Sequence, residues 1–163
     1  MKYDGGDTFI GQYEFGQKHG KGKYSQKVAD GFAVREDEYK RGAYHGKHNI
    51  TFPDGETHTG QYKSGLKNGE WILIFLNGQK QIKNYKDGIL HGLSETLYTN
   101  GDKSIAVYEN GYLTSDSYLH VGGQKESCEY KNSLKHGQCI TKMPDETHIC
   151  TFDMGKPLEC RYE

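Results

Sequence analysis

Histidine recurs at one position of a repeating pattern, and regularly spaced imidazoles can bind metal ions or sense pH. Four of the eight histidines stand directly before a glycine: His19, His45, His91 and His136. Neighbouring two-strand units lie about 9–10 Å apart, because adjacent strands are separated by ~4.8 Å. Two such imidazoles are too far apart to share one metal ion at ~2.1 Å per bond. The pattern therefore favours a turn residue over a metal-binding or pH-sensing row.

The four cysteines are spaced by 11, 11 and 10 residues, at Cys128, Cys139, Cys150 and Cys160. This spacing follows the strand period of the chain and matches no zinc-binding pattern. Cys128 and Cys139 fall opposite each other in the expected strand register, so a disulfide between them is sterically conceivable. We expect reduced thiols in an intracellular protein, and disulfides if the chain is secreted or lumenal.

A carboxylate and an imidazole also meet in the expected register, where Asp37 falls opposite His48. A nearby carboxylate favours the imidazolium form, and an ion pair is favoured over an acid–base couple. His58 and His148 each end a Glu-Thr-His triplet and are expected on the surface. No Ser/His/Asp or Cys/His motif is present, and no glycine motif for phosphates or dinucleotides follows a strand and opens a helix. The sequence therefore predicts a chain that is not an enzyme, with no metal ion and no cofactor.

The composition favours short strands joined by turns. Only 33% of the 163 residues are hydrophobic, yet 12% are aromatic, with 22 glycines and 3 prolines. The aromatic content argues against disorder, and the glycines against a thick central core. The net charge of −1 argues against a nucleic-acid-binding domain, because such domains are usually clearly basic. No run is long enough for a signal peptide or a membrane span, so we expect a soluble, intracellular chain.

An aromatic residue followed three positions later by a small residue, usually glycine, repeats along the whole chain. The anchors are Tyr13, Tyr39, Tyr62, Tyr85, Tyr108, Tyr130 and Phe152. Their spacings are 26, 23, 23, 23, 22 and 22 residues, which chance does not produce. Asp54-Gly55, Asn77-Gly78 and Asn100-Gly101 suit two-residue turns with positive φ. Two turns per unit leave two short strands and no helix, so about 14 strands form one antiparallel meander.

The strand register can be predicted from a turn centred between Gly65 and Leu66. Tyr62 then faces Gly69, and Gly60 faces Trp71. A large ring needs room to lie across its neighbour, and an opposing glycine provides that room. Because side chains alternate between faces, the anchors collect on one face, which we call the aromatic face. The other face is mixed, with Ile72 and Ile74 among polar residues.

This pattern resembles the MORN (membrane occupation and recognition nexus) repeat family over nearly the whole chain, from about Tyr3 to Phe152. The first repeat is the most similar, with Gly11-Gln12-Tyr13-Glu14-Phe15-Gly16 followed by His19-Gly20-Lys21-Gly22-Lys23-Tyr24. Later repeats lose glycines, as at Ser115 and Ser133. The resemblance implies an all-β, elongated, single-layer twisted rod of about seven hairpins, forming one array over residues 1–163. The edge strands at the two ends of the rod have unpaired backbone groups, and we expect a partner, a second copy or further sequence to cover at least one of them.

The resemblance implies a non-enzymatic interaction scaffold in a cytoskeletal, ciliary or membrane-associated assembly. Alternatives are a phospholipid-binding membrane module, a bacterial antitoxin or immunity protein, and the accessory array of an enzyme whose catalytic part lies elsewhere. Near-neutral charge argues against anionic lipids. Exposed rings with polar rims suit an extended peptide or an amphipathic helix. The partner-binding residues predicted on the aromatic face are Tyr39, Tyr62, Trp71, Phe75, Tyr85, Tyr98 and Tyr108.

Overall fold

The computed structural model describes residue 2 and residues 5–163, so Tyr3, near the expected start of the repeats, lies outside the described residues. Over that range the chain forms fifteen β-strands and no helix. The strands are β1 (Thr8–Glu14), β2 (Gln17–Val28), β3 (Gly31–Lys40), β4 (Ala43–Thr51), β5 (Thr57–Lys63), β6 (Leu66–Lys67), β7 (Gly69–Ile74), β8 (Lys80–Lys86), β9 (Ile89–Leu97), β10 (Lys103–Glu109), β11 (Tyr112–Leu119), β12 (Lys125–Lys131), β13 (Leu134–Lys142), β14 (Thr147–Asp153) and β15 (Lys156–Tyr162).

The strands form one open antiparallel meander in chain order, which confirms the predicted all-β fold class. The short β6 pairs with β5 and lies off the main path of fourteen strands, because Asn68 separates it from β7. The chain divides into two compact units. The first contains the residues up to Lys80 together with Tyr85–Gly88, and the second contains Gln81–Asn84 and Ile89–Glu163.

Two kinds of turn alternate along the meander. The tight turn after each anchor contains two residues with positive φ, as at Ser64 (51°) and Gly65 (83°). This is the left-handed pair of a type I′ hairpin turn, whose twist matches that of the flanking strands. The seven pairs are Phe15-Gly16, Arg41-Gly42, Ser64-Gly65, Asp87-Gly88, Asn110-Gly111, Asn132-Ser133 and Met154-Gly155.

The turns at the Asp-Gly and Asn-Gly pairs are longer than the sequence predicts. The N–H of Phe52 donates to the carbonyl oxygen of Glu56 at 2.9 Å, and the N–H of Gly55 donates to the carbonyl oxygen of Phe52 at 3.0 Å. Gly55 has a φ of 94°, but Asp54 does not adopt a positive φ. The prediction of two-residue turns at the Asp-Gly and Asn-Gly pairs is therefore wrong. These are three-residue loops in which only the glycine is left-handed.

The predicted register holds away from the tight turns and fails close to them. Gly11 pairs with Gly22, and His58 pairs with Leu73, as expected. Tyr62, however, pairs with Lys67 and not with Gly69, because the tight turn is centred between Ser64 and Gly65. A β-bulge in the second strand of the hairpin, where Gly69 has a φ of 74°, accounts for the change of register between the Tyr62–Lys67 pair and the His58–Leu73 pair.

Glycines under aromatic rings make the core of the first unit, as the sequence predicts. Phe9 is 1% exposed, and its ring lies against Gly11 and Gly22. A Cβ atom at those glycines would stand only 2.6 and 2.5 Å from the Phe9 ring. Trp71 is 2% exposed and covers Gly60 in the same way. Each of these rings therefore packs on backbone where a side chain would exclude it.

Candidate functional site

The aromatic face of the first unit carries a continuous series of touching rings, which we call the ring row. Its members, in order, are Phe9, Tyr39, Tyr44, Tyr62, Trp71 and Tyr85. Their consecutive centroids lie 5.8, 5.0, 5.0, 5.1 and 6.3 Å apart. These separations fall within the range of favourable aromatic pairs, each of which contributes about 0.5–1.5 kcal/mol beyond its buried area. The row joins residues from β1, β3, β4, β5, β7 and β8.

Members of the ring row differ in exposure. Tyr39 is 5% exposed and Trp71 is 2% exposed, so a partner cannot reach most of either ring. The Trp71 indole N–H donates to the carbonyl oxygen of Gln61 at 3.1 Å, which fixes its ring. Tyr44, Tyr62 and Tyr85 are half-buried and keep part of each ring accessible. The accessible rings therefore stand beside two buried ones that hold them in place.

Cationic side chains cover several of these rings. The Lys67 ammonium lies 4.2 Å from the Trp71 ring centroid and 5.1 Å from that of Tyr85. The Lys18 ammonium lies 5.2 Å from the Tyr39 ring centroid. Cations within about 6 Å of a ring centroid are attracted by the ring quadrupole. The ring row is thus edged with positive charge.

A buried polar cluster centred on Asp37 supports the row from within. Asp37 is 3% exposed and accepts hydrogen bonds from His48 Nδ1 at 2.5 Å and from the Tyr39 hydroxyl at 3.2 Å. Arg35 Nε lies 2.8 Å from Asp37 Oδ2, the oxygen that accepts from Tyr39, whereas His48 contacts Oδ1. The His48 ring in turn lies 5.0 Å from the Trp71 ring centroid. The predicted opposition of Asp37 and His48 is confirmed. The two residues belong to a larger buried network, whereas the sequence predicted only a local pair.

Burial keeps three phenols of the ring row neutral. It raises the pKa of Tyr39, Tyr62 and Tyr85 above the ordinary tyrosine value, because the phenolate loses hydration. For Tyr39, the negative charge of Asp37 adds to this effect. Each phenol therefore remains a neutral hydrogen-bond donor at and well above neutral pH.

The second unit has its own aromatic contacts on the same kind of face. The Tyr98 ring lies 5.6 Å from the Tyr118 ring, and the Tyr118 hydroxyl donates to Asp102 at 2.9 Å. Asp102 is 7% exposed and also accepts from the Val121 N–H at 2.9 Å. That backbone hydrogen bond is the largest cause that holds the Asp102 pKa below its usual value, and the Tyr118 hydrogen bond adds to it. The Tyr130 hydroxyl donates to Asp116, and burial raises the pKa of Tyr130 to about 12.

The seven residues predicted to bind a partner fall in both compact units. Tyr39, Tyr62, Trp71, Phe75 and Tyr85 belong to the first unit, and Tyr98 and Tyr108 belong to the second. Four of the first five are members of the ring row. Phe75 is half-buried beside a three-residue loop, where its N–H donates to the carbonyl oxygen of Gln79. The partner role of all seven stays a prediction.

Sequence reasoning missed three contributors to the aromatic face, namely Phe9, Tyr44 and Lys67. A signal for two of them was present. Tyr44 stands two residues after Gly42 and Lys67 two residues after Gly65, so both occupy one repeat position, directly after the tight turn. The side chain at that position lies over the anchor rings in the folded chain.

The histidines before glycine lie in strands β2, β4, β9 and β13, so the prediction that they are turn residues is wrong. His45 Nδ1 accepts from the Ser64 N–H, and His91 Nδ1 accepts from the Asn110 N–H, each at 3.3 Å. Each bond joins a strand of one hairpin to the tight turn of the next hairpin. Among the residues that the structure describes, no group of three or more His, Cys, Asp or Glu side chains is arranged to hold a metal ion.

The expectation of reduced cysteines is wrong in this structure. Cys128 bonds to Cys139 and Cys150 bonds to Cys160, so no cysteine is free. The predicted pairing of Cys128 opposite Cys139 is confirmed. Direct cross-strand opposition brings the two Cα atoms to 4.0 Å and 4.1 Å in the two pairs, so each side chain meets its partner without backbone rearrangement.

Comparison with known proteins agrees with the repeat pattern. The family model described as MORN repeat matches residues 9–26, which cover most of the β1–β2 hairpin. No curated protein matched the chain. In the described part of the chain, no helix has the length and apolar character that a membrane crossing requires. A MORN repeat indicates a repeat-containing module for protein interaction or membrane association, and it is a non-enzymatic family type. The chain therefore carries a MORN repeat in its first hairpin, in agreement with the resemblance found in its sequence.

Proposed function

We propose that the chain is a non-enzymatic protein–protein interaction module that binds a peptide or a helix on the ring row. The observation that supports this is the combination of buried and accessible rings in one series. Tyr39 and Trp71 are buried, whereas Tyr44, Tyr62 and Tyr85 are half-exposed. Rings held by their neighbours lose little conformational entropy on binding, and tyrosine is enriched among residues that dominate interface energies.

The chemistry of the ring row favours a partner with apolar anchors and acidic flanks. The half-exposed rings provide apolar area, and the neutral phenols of Tyr62 and Tyr85 provide donors for carbonyl or carboxylate oxygens. Lys18 and Lys67 add positive charge beside the rings. An extended peptide or one face of an amphipathic helix satisfies this pattern. The role is that of a structural or accessory subunit in a cytoskeletal, ciliary or membrane-associated assembly, as the family resemblance implies.

Affinity capture from native lysate of the source organism tests the proposal. The bait variants are wild type, Tyr62→Ala and Ile74→Ala. Ile74 is the matched control, since it lies on the opposite face of a neighbouring strand and is 43% exposed. We expect one or two stoichiometric proteins to bind wild type and Ile74→Ala, and to be lost with Tyr62→Ala.

Two results would contradict the proposal. One is a partner that is retained by a folded Tyr62→Ala variant and lost with Ile74→Ala, which would move the site to the other face. The other is flotation of the chain with phosphatidylserine vesicles in the absence of any captured protein. That result would favour the phospholipid-binding alternative. Circular dichroism of each variant establishes that it is folded.

A further inference from the structure

The four cysteines form a single row across β12, β13, β14 and β15. Cys128 is the register partner of Cys139, Cys139 of Cys150, and Cys150 of Cys160. We call this set the cysteine row. The two disulfides join its outer pairs, so Cys139 and Cys150 oppose each other directly while each is bonded to its other neighbour.

Exposure changes steadily along the cysteine row. Cys128 is 3% exposed and Cys139 is 8% exposed, so their disulfide is closed to solvent. Cys150 is half-buried, and Cys160 is exposed on β15, whose seven residues are all exposed. A thiol in solution therefore reaches Cys160 and does not reach Cys128.

Backbone geometry brings the middle pair within disulfide distance. In an antiparallel sheet, narrow pairs with Cα atoms about 4.5 Å apart alternate with hydrogen-bonded pairs about 5.5 Å apart. The outer pairs, at 4.0 and 4.1 Å, are narrow ones. The N–H and C=O of Cys139 then point towards Cys150, so the middle pair is of the wider kind. A separation of about 5.5 Å lies inside the range of about 4.4–6.8 Å that disulfides span.

We propose that the cysteine row is a thiol–disulfide exchange site, at which an external dithiol reduces Cys150–Cys160 and the buried disulfide then rearranges to Cys139–Cys150. The substrate class is a small or protein dithiol that can approach an exposed terminal strand. The result is a change in which cysteines are free: Cys160 at the surface and Cys128 in the interior.

The exchange is balanced in atoms and electrons. One thiolate of the dithiol attacks Cys160 Sγ, and Cys150 leaves as a thiolate. The second thiol of the dithiol attacks its own sulfur in the mixed disulfide, which releases Cys160 and leaves the dithiol oxidised by two electrons. The Cys150 thiolate attacks Cys139 Sγ, so that the Cys139–Cys150 bond forms and the Cys128–Cys139 bond breaks. Cys128 leaves as a thiolate and takes a proton.

Limited reduction of the folded wild-type chain tests this order. Dithiothreitol is added below one equivalent, free thiols are trapped with N-ethylmaleimide in acid-quenched samples, and peptides are identified by mass spectrometry. Trypsin alone does not separate Cys150 from Cys160, because Lys156 precedes Pro157. Additional chymotryptic cleavage after Phe152 separates them. We expect label on Cys128 and Cys160, together with a Cys139–Cys150 cross-link.

Two variants with equal numbers of cysteines give a matched comparison. Cys160→Ser leaves Cys150 as a free thiol beside Cys139, and it should yield the Cys139–Cys150 cross-link and label on Cys128 without any reductant. Cys150→Ser leaves no thiol beside Cys139, and label on Cys128 should be lost. Three results would overturn the proposal: label confined to Cys150 and Cys160 at every dose, simultaneous label on all four cysteines, or absence of the cross-link in a folded Cys160→Ser chain.

Discussion

Substitution of Gly60 by alanine probes how the rings pack on the sheet. Gly60 lies under the Trp71 ring, and its φ is outside the left-handed region, so alanine strains no backbone angle. The added Cβ would overlap the indole, whose nearest atoms are Cδ2 and Cε2. Trp71 is 2% exposed, so its indole is enclosed by neighbouring groups. The variant therefore isolates one steric contact between the backbone and a buried ring.

The expected cost follows from the packing at this site. Overpacking of a close-packed interior costs about 1–3 kcal/mol, and Trp71→Ala costs about 3–5 kcal/mol. Once the indole is removed, the Gly60→Ala clash is absent. The substitution then stabilises the chain by about 0.4–1 kcal/mol, through the lower entropy of the unfolded state. We therefore expect an interaction free energy of about 1.4–4 kcal/mol between the two substitutions, the difference between the cost of Gly60→Ala with and without the indole.

A double-mutant cycle by urea unfolding measures this value. Circular dichroism is the signal for all four proteins, because Trp71 is the only tryptophan and its removal abolishes the indole fluorescence. Gly122→Ala is the matched control, since a Cβ at Gly122 meets nothing within 4 Å and the backbone is not left-handed there. It should change stability by less than about 0.5 kcal/mol. Equal costs of Gly60→Ala with and without Trp71 would refute the packing argument.

Three further outcomes are expected. Asp37→Asn should lower the free energy of unfolding in urea by about 3–5 kcal/mol, because it breaks a buried charge network. The control Lys23→Ala should change that free energy by less than about 1 kcal/mol, because the pair of Lys23 with Glu36 is exposed. An Asp37→Asn variant with the same free energy of unfolding as wild type would contradict the role of that network. The Tyr130 pKa of about 12 lies above the unfolded value of about 10, so its contribution to stability is full below pH ~10 and is lost as the pH rises through about 12. Ultraviolet titration should show a late-ionising phenol that Tyr130→Phe removes. The pKa of Asp102 is lowered, so its contribution to stability has the opposite pH dependence. That contribution is present above the pKa of Asp102 in the unfolded chain, and it is lost as the pH falls through its pKa in the folded chain. Asp102→Asn should flatten the acid side of a thermal-unfolding profile, and an unaltered profile would count against this linkage.

Much of the fold follows from local pattern, and the site follows only in part. The anchors and their glycines predict the meander, the all-β class and the opposition of Cys128 to Cys139, because strand alternation and turn chemistry act over a few residues. The pairing of Tyr62 with Lys67 was not predictable in the same way. It depends on a bulge at Gly69 that the hydrophobic pattern does not encode.

The disulfides and the ring row belong to the tertiary structure. The spacing of the cysteines in the sequence matches the strand period. Reduced thiols were nevertheless expected, because an intracellular chain was predicted and strand geometry was not the deciding argument. The structure pairs them because bulges and tight turns align four consecutive strands at that position. Likewise, Tyr44 joins Tyr39 to Tyr62 only because the tight turn and bulge place it over the anchors.

By itself the sequence determined the repeat, the strand count to within one short fragment, the faces on which side chains lie and the resemblance of the first hairpin to a MORN repeat. Those properties depend on residue type and on periods of two and about 23 residues, which are local. Only the tertiary structure decided which rings are buried, which cysteines bond, and that Arg35 and Tyr39 join His48 around Asp37. Those properties depend on contacts between strands that are neighbours in the sheet, and residue type and period do not by themselves specify which side chains meet there.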